Sequence, residues 1–480
     1  MKQRSFLILL FIFLLGKNEN CHASHVVGAD LTYLCLGGNN YRFFFTLYRD
    51  CSGVSVNPSY DIGGSSTCGD SIFLTVYPDS VREIAHTCST VVTKCLNMAS
   101  PYMGIEANYY HGDITIPSAC NLWTFGLSPA ICNRNGAITN LDPNGSAFCT
   151  YVEATLNNDA VQCNSSPSFS SIPVQFYCAN QVQYYVEQAF DINGDSLTYQ
   201  MIAPHSDSLN DVIYFPGLTA TQPVTYFDST RFNPLTGEVR FFANGPQITV
   251  MAIQVNEYHN GVLVGSVERD IELIFENCTN NLPTATGLNN TNIYSTHVCA
   301  DSLVSFYIVT NDADVLDDTR INWNGGIPGA SFFCSGGHRD VGYFSWNPSL
   351  QQVSTQPYTF SVAVHDNACP TEGINIYSYT IYVDTCLSTG IFADGNAFNS
   401  FSANYISINH SIHFKYKLGK KCGAVINLYD VTGREIKKVF IEKSAGGEMD
   451  LNVGELSGGW YFLNLRTTDG TSQSAKIVIE

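Results

Sequence analysis

The chain has 480 residues, and its 42 Asp and Glu against 23 Lys and Arg give a formal net charge of −19. Such an acidic body repels phosphate, so nucleic acid is excluded as the expected partner. The length accommodates three to five domains of about 100–150 residues each.

At the N-terminus Lys2 and Arg4 precede an apolar run from Phe6 to Leu15, and Cys21-His22-Ala23 ends in a small residue. This is the pattern of a secretory signal peptide over residues 1–23, with cleavage before Ser24. The run is too short to span a bilayer, and no later segment reaches the ~20 apolar residues a transmembrane helix needs. Cleavage leaves 16 of the 17 cysteines, and no Cys-x-x-Cys pair occurs. An even cysteine count in an exported chain points to structural disulfides rather than zinc or redox sites. The expected arrangement links Cys299 to Cys386 across one domain, with Cys334 and Cys369 inside it and Cys422 free in the tail.

Amphipathic helical stretches are nearly absent. Strand-like runs such as YRFFFTLYR from Tyr41, SIFLTVYP from Ser71 and QITVMAIQVNEY from Gln247 recur between Gly, Asn, Pro and Asp clusters. The expected class is all-β, with several tandem β-sandwich domains and a small C-terminal β-sandwich. Residues 24–180 form a first, cysteine-rich block. Its strings SHVVGADLTYLCLGG from Ser24, TLYRDC from Thr46 and ICNRNGAITNL from Ile131 resemble the N-terminal region of large Bacteroidetes surface proteins associated with gliding motility and adhesion. That resemblance implies a secreted multi-domain surface protein and supplies no catalytic residues.

Two blocks follow, 181–279 and 280–386, on a shared plan: an acidic turn, an aromatic strand and turn, a late strand ending in an acid, and a closing strand. The plan resembles cadherin-like and immunoglobulin-like sandwiches of bacterial surface proteins, which implies stalks or adhesive rods. In the first block Asp191, Asn193 and Asp195 alternate on a glycine-bearing turn, so their oxygens can converge on a hard cation such as Ca2+. The resemblance adds Glu257 as a late ligand. In the second block Asp312 and Asp314, with Asp317 or Asp318 nearby and Asp366 late, repeat the pattern. The glutamate that an EF-hand loop requires at its twelfth position is missing. The alternative is that these residues cap turns through side chain to backbone hydrogen bonds.

Signatures of catalysis are scarce: no G-x-S-x-G, no H-E-x-x-H and no phosphate-binding glycine loop occurs. His111 beside Asp113 and His365 beside Asp366 come nearest to an acid/base pair, and both read as ordinary histidines. Aromatic residues make up 12% of the chain. Tyr109-Tyr110, Tyr184-Tyr185, Trp323 and Trp346 are the candidate stacking platforms for sugars, with Trp346 expected in a core.

After a linker at 387–400 the chemistry changes. Residues 24–400 carry 10 basic against 33 acidic residues and a single lysine, Lys94, whereas residues 401–480 carry 10 basic against 8 acidic. The tail alternates with period two through VINLYDV, VFIE, WYFLNL and KIVIE, broken by turns at Thr432–Glu435 and at a Thr-Asp-Gly. INLYDVTGREI from Ile426 and DLNVGELSGGWYFLNL from Asp450 resemble the C-terminal sorting domain of the Bacteroidetes type IX secretion system. The resemblance implies an export address read by that secretion machinery. The expected protein is a surface or released adhesive or structural binding module, without enzymatic activity. Its expected partners are surface glycans or other surface proteins. A secreted hydrolase with its site in residues 24–180, or a carbohydrate-binding accessory protein, are the alternatives.

Overall fold

The computed structural model describes residues 26–84, 87–88, 90–143, 149–169, 173, 176–226, 228–385, 398–468 and 472–479. The signal peptide, Cys386 and most of the expected linker lie outside the described residues. The chain is 57% strand and 2% helix, and it divides into two compact units. The first comprises residues up to Pro283 with Asp312–Asp317 and His365–Ile376, and the second comprises Thr284–Asn311, Asp318–Val364 and Tyr377–Glu480.

An eleven-stranded, mostly antiparallel sheet dominates the first unit. Strand Asn40–Asp50 shows why it forms: Tyr41, Phe43, Phe45 and Leu47 alternate inward and are at most 1% exposed, while Arg42 faces out to Asp113. These inward rings meet others at 4.6–5.2 Å, Phe43 on Phe125, Phe45 on Tyr60, and Tyr60 on Tyr110. Strand Val262–Glu276 closes the circuit of pairings. One of its edges is shared in turn by Glu153–Leu156, Val26–Gly37 and Phe176–Cys178, and the other by Gln247–His259. The boundary expected at residue 180 therefore does not separate sheets, because backbone hydrogen bonds join strands from both sides of it. Such pairing is non-local and leaves no mark on local pattern.

Because both edges and both faces of Val262–Glu276 are covered, its Glu268, Arg269, Asp270 and Glu272 are buried and need partners. Asp270 takes a bidentate pair from the fully buried Arg134, at 2.9 Å for Nη1. Arg269 donates to Asp30 and Glu187, each at 3.2 Å, and lies 3.6 Å from the Phe169 ring centroid. Asn135 donates to Glu272 at 3.0 Å. These pairs fix register, since a slip by one residue would strand each buried polar group without its partner.

In the second unit a pair of four-stranded sheets forms a sandwich. One runs Thr284–Ala285, Val304–Asn311, Val341–Trp346, Ser331–Cys334, and the other Ser295–Cys299, Ile374–Asp384, Tyr358–His365, Arg320–Trp323. Its core is a column of stacked rings, Phe306, Phe344, Phe360 and Tyr379, with successive centroids 4.6, 4.9 and 5.0 Å apart. Trp346 is buried there, as its sequence context suggested. The last five strands, from Phe398–Ile406 to Ser472–Ile479, form a further sheet. Its 20-residue strand Ser411–Asp430 pairs with Phe398–Ile406 by its first half and with Gly459–Thr467 by its second. Register shifts between Lys417 and Ala424 bend it around one core that includes Phe414, Ile426, Leu463 and Ile477.

Six disulfides join described cysteines: 35–163, 51–95, 68–120, 88–369, 132–149 and 178–278. Cys299 is also disulfide-bonded. The expectation for Cys369 was wrong: it pairs with Cys88, 281 residues away, and Cys334 is free. Folding carries Cys369 into the first unit, a placement that spacing along the chain does not encode. Cys422 is free and buried.

Candidate metal centre

Asp191, Asn193 and Asp195 occupy the turn between strands Ala189–Phe190 and Ser196–Ile202. Gly194, at φ +85°, turns the chain in a region that favours glycine. The Asp195 backbone N–H donates to Asp191 Oδ1 at 2.7 Å, and His259 Nδ1 lies 2.7 Å from Asp195 Oδ1. Asn193 faces away: its Oδ1 accepts the Ser165 N–H at 3.0 Å. Glu257 comes from the long strand Gln247–His259 and is fully buried. Opposite it stands Gly265, where a Cβ would come within 2.9 Å of Glu257 Oε2 and 2.7 Å of Tyr33 Oη, so glycine makes the room.

The structure brings Asp191, Asp195 and Glu257 together, with one carboxylate oxygen of each within 4.8 Å of the others. Glu257 Oε2 accepts Asn164 Nδ2–H at 2.8 Å. Asp191 Oδ2, Asp195 Oδ2, Glu257 Oε1 and Asn164 Oδ1 are buried and have no hydrogen-bond partner. Sequence reasoning missed Asn164, which follows Cys163, held at φ +61° and bonded to Cys35. Its remoteness in the chain concealed it.

Carboxylates so close repel one another and cannot all stay ionised without a cation. Burial, reinforced by the Asp191 charge, pushes Glu257 up to about 9, and burial raises Asp191 as well. Two occupants satisfy such a site: a proton shared between Glu257 and Asp191, or a hard cation. Calcium binds oxygen at roughly 2.3–2.6 Å, so ligands on opposite sides of it lie about 5 Å apart.

A second group joins Asp312, Asp317 and Asp366 within the same 4.8 Å. Its chemistry differs. Asp366 Oδ1 accepts N–H groups of Ala368 and Gly373 at 2.9 and 2.8 Å, and Oδ2 accepts Asn280 Nδ2–H at 2.7 Å. Asp312 Oδ1 accepts the Asp314 N–H at 2.8 Å. Asp314 stands outside the group because its carboxylate accepts both N–H and Nδ2–H of Asn281, at 2.7 and 2.9 Å. Asp317 takes the place expected of Asp314, and Asp318 pairs with His338 at 2.6 Å.

Among the described residues, the two histidines read as ordinary in the sequence belong to no catalytic arrangement that the hydrogen bonds show. His111 approaches Asp79 at 3.9 Å while Asp113 binds Arg42, and burial lowers His365. A different group surrounds His205, whose Nδ1 lies 2.7 Å from Asp211 and Nε2 3.2 Å from Glu268. The Glu268 hydrogen bond pushes His205 up to about 9, and burial with the Glu268 charge pushes Glu153 up to about 7. A shallow hollow of about 650 Å³ lined by Val92, Tyr102 and Pro370 lies elsewhere and carries no carboxylate, histidine or lysine.

A family model described as a secretion system C-terminal sorting domain matches residues 403–480. The protein is exported. The domain implies interaction with the type IX secretion machinery, and the protein is secreted or held at the cell surface. Among the described residues no helix is long and apolar enough to cross a membrane. No curated protein matches the chain. Among solved structures, Drosophila N-cadherin EC1-4 is similar at 11% identity and TM-score 0.16, over 68% of this chain and 82% of that one. The BSP domain of a biofilm associated protein is similar at 10% identity and TM-score 0.16, over 95% and 96%. The four N-terminal Ig domains of Dscam1 are similar at 9% identity and TM-score 0.17, over 93% and 98%. At those scores the likenesses carry no argument, and the all-β class stands on the strands themselves.

Proposed function

We propose that this exported chain is an adhesive or structural surface protein without enzymatic activity, and that one Ca2+ held by Asp191, Asp195 and Glu257 braces its first unit. The observation that carries it is the convergence of three carboxylates, each with a buried oxygen that has no donor. A divalent cation held by one oxygen of each carboxylate joins strand Gln247–His259 to the 191–195 turn, with Asn164 holding the Glu257 carboxylate from its other oxygen. We assign calcium to the first group alone, because Asp366 in the second already accepts three N–H bonds. The same reading counts residues 24–180 among gliding- or adhesion-associated surface proteins of Bacteroidetes.

The test compares cells carrying the intact chain with cells lacking it, in an attachment assay run with calcium and with chelator. Attachment that needs both the chain and calcium supports the reading. Equal attachment by both cell types, or turnover of a polysaccharide or peptide library by the purified protein, overturns it.

A further inference from the structure

The tyrosines and tryptophans singled out from sequence mostly face inward: Tyr110, Tyr185 and Trp346 are buried, and Trp323 packs on Phe332 and Phe360. Exposed rings collect elsewhere. On the sheet containing Val304–Asn311, Val341–Trp346 and Ser331–Cys334, Tyr307 lies opposite Tyr343, and Tyr343 opposite Phe333. The three rings are 39%, 48% and 68% exposed, with centroids 6.5 and 6.4 Å apart. Two residues along each strand, on the same face, stand Ser305, Ser345 and Ser331, again in register. The face thus carries a row of three aromatic rings beside a row of three hydroxyls.

Every outward position on these strands is uncharged: Ser305, Tyr307, Val309 and Asn311 on the first, Val341, Tyr343 and Ser345 on the second, Ser331 and Phe333 on the third. In a chain of net charge −19 this is a neutral field. With strands about 4.8 Å apart, the rings extend about 10 Å across the sheet. We propose that this face binds a neutral polysaccharide, the C–H faces of successive sugar rings lying on Tyr307, Tyr343 and Phe333 while sugar hydroxyls bond the serine row. Rings that present flat apolar faces beside hydroxyls suit a ligand of that mixed character. Three rings and three serines fall short of the roughly 800 Å² per partner that a stable protein interface buries. Absence of charge disfavours an acidic glycan, which would need cations. The inference rests on the adhesive reading and gives it a ligand class.

The purified chain is run in affinity gels containing laminarin, xyloglucan or soluble starch, with alginate as the acidic control, each with and without chelator. Retardation is expected in at least one neutral gel, and Tyr343→Ala should weaken it roughly tenfold. Phe333→Ala should weaken it less, while Phe73→Ala, at an exposed ring in the first unit, should leave it unchanged. Retardation should survive chelation, so loss of the calcium reading would leave this result standing. No retardation in any neutral gel, retardation by alginate alone, or equal loss with Phe73→Ala overturns the proposal. So does a dimer in sedimentation that Tyr343→Ala dissociates, which would make the face a contact between two copies.

Discussion

Asn164 donates its Nδ2–H to one oxygen of Glu257 at 2.8 Å, and the other oxygen of Glu257, fully buried, meets no donor at all. The donor holds the carboxylate in place while leaving it one open lone-pair direction. One oxygen of this carboxylate lies within 4.8 Å of a carboxylate oxygen of Asp191 and of Asp195.

Calcium should raise the melting temperature of the purified chain and chelation should lower it. Asp191→Asn and Asp195→Asn are expected to abolish the difference, and Asp312→Asn to preserve it. Differential scanning calorimetry with calcium added back after chelation provides the measurement. Indifference of the wild-type melt to calcium would remove the ion from the account.

Without metal, stability should fall as pH rises from 5 toward 9. Burial pushes Glu257 up to about 9 and Glu272 up to about 8, whereas unfolded glutamates titrate near 4.3. Between those values the folded chain holds protons that the unfolded chain has released, so raising pH favours unfolding. Calcium should flatten the part of this slope that belongs to Glu257, since the cation replaces the proton. Apparent calcium affinity should therefore rise with pH in this range, by up to about tenfold per unit if one proton leaves. Melts at several pH values, with and without calcium, read both effects.

Arg134→Ala should destabilise the first unit by about 3–5 kcal/mol, because it leaves Asp270 charged and buried without its partner. Arg42→Ala, removing the exposed pair with Asp113, should cost about 1 kcal/mol or less. Similar losses in urea unfolding would show that the Arg134 site is more hydrated than its burial indicates.

Gly28→Ala should be among the most damaging single methyl additions. The residue has φ +150°, and an added Cβ would lie 2.3 Å from the Asp270 carbonyl oxygen, at the seam where Val26–Gly37 pairs with Val262–Glu276. A loss exceeding about 2 kcal/mol is expected from strain and clash together. An unchanged midpoint would mean that the seam can open without cost.

Deleting residues 403–480 should retain the protein inside the cell envelope, and appending them to an inert exported protein should carry it outside. Fractionation and immunoblotting distinguish the outcomes. Appearance of the truncated chain in the medium at normal levels would refute the role of the sorting domain.

Much of the fold is legible in short stretches. The alternation in YRFFFTLYR, the turn after Asp430 and the inward Trp346 follow from side chains that must choose between water and a core within a few residues. Asp191 and Asp195 were readable for the same reason, since one glycine-bearing turn holds both. Asn164, the exchange of Asp317 for Asp314, and the Cys88–Cys369 bridge were not, because each depends on segments that meet only after folding. The row of Tyr307, Tyr343 and Phe333 lay between: each strand alternates visibly, yet only the pairing register aligns the rings.

By itself the sequence determined an all-β, acidic, disulfide-bearing chain with a sorting domain at its end, because composition, period and local motif are properties of neighbours. Tertiary structure alone decided that strand Val262–Glu276 joins what looked like separate domains, and that buried carboxylates from distant segments face one another. Backbone hydrogen bonds between strands are indifferent to side-chain identity and to distance along the chain, so no local pattern announces which strands will pair.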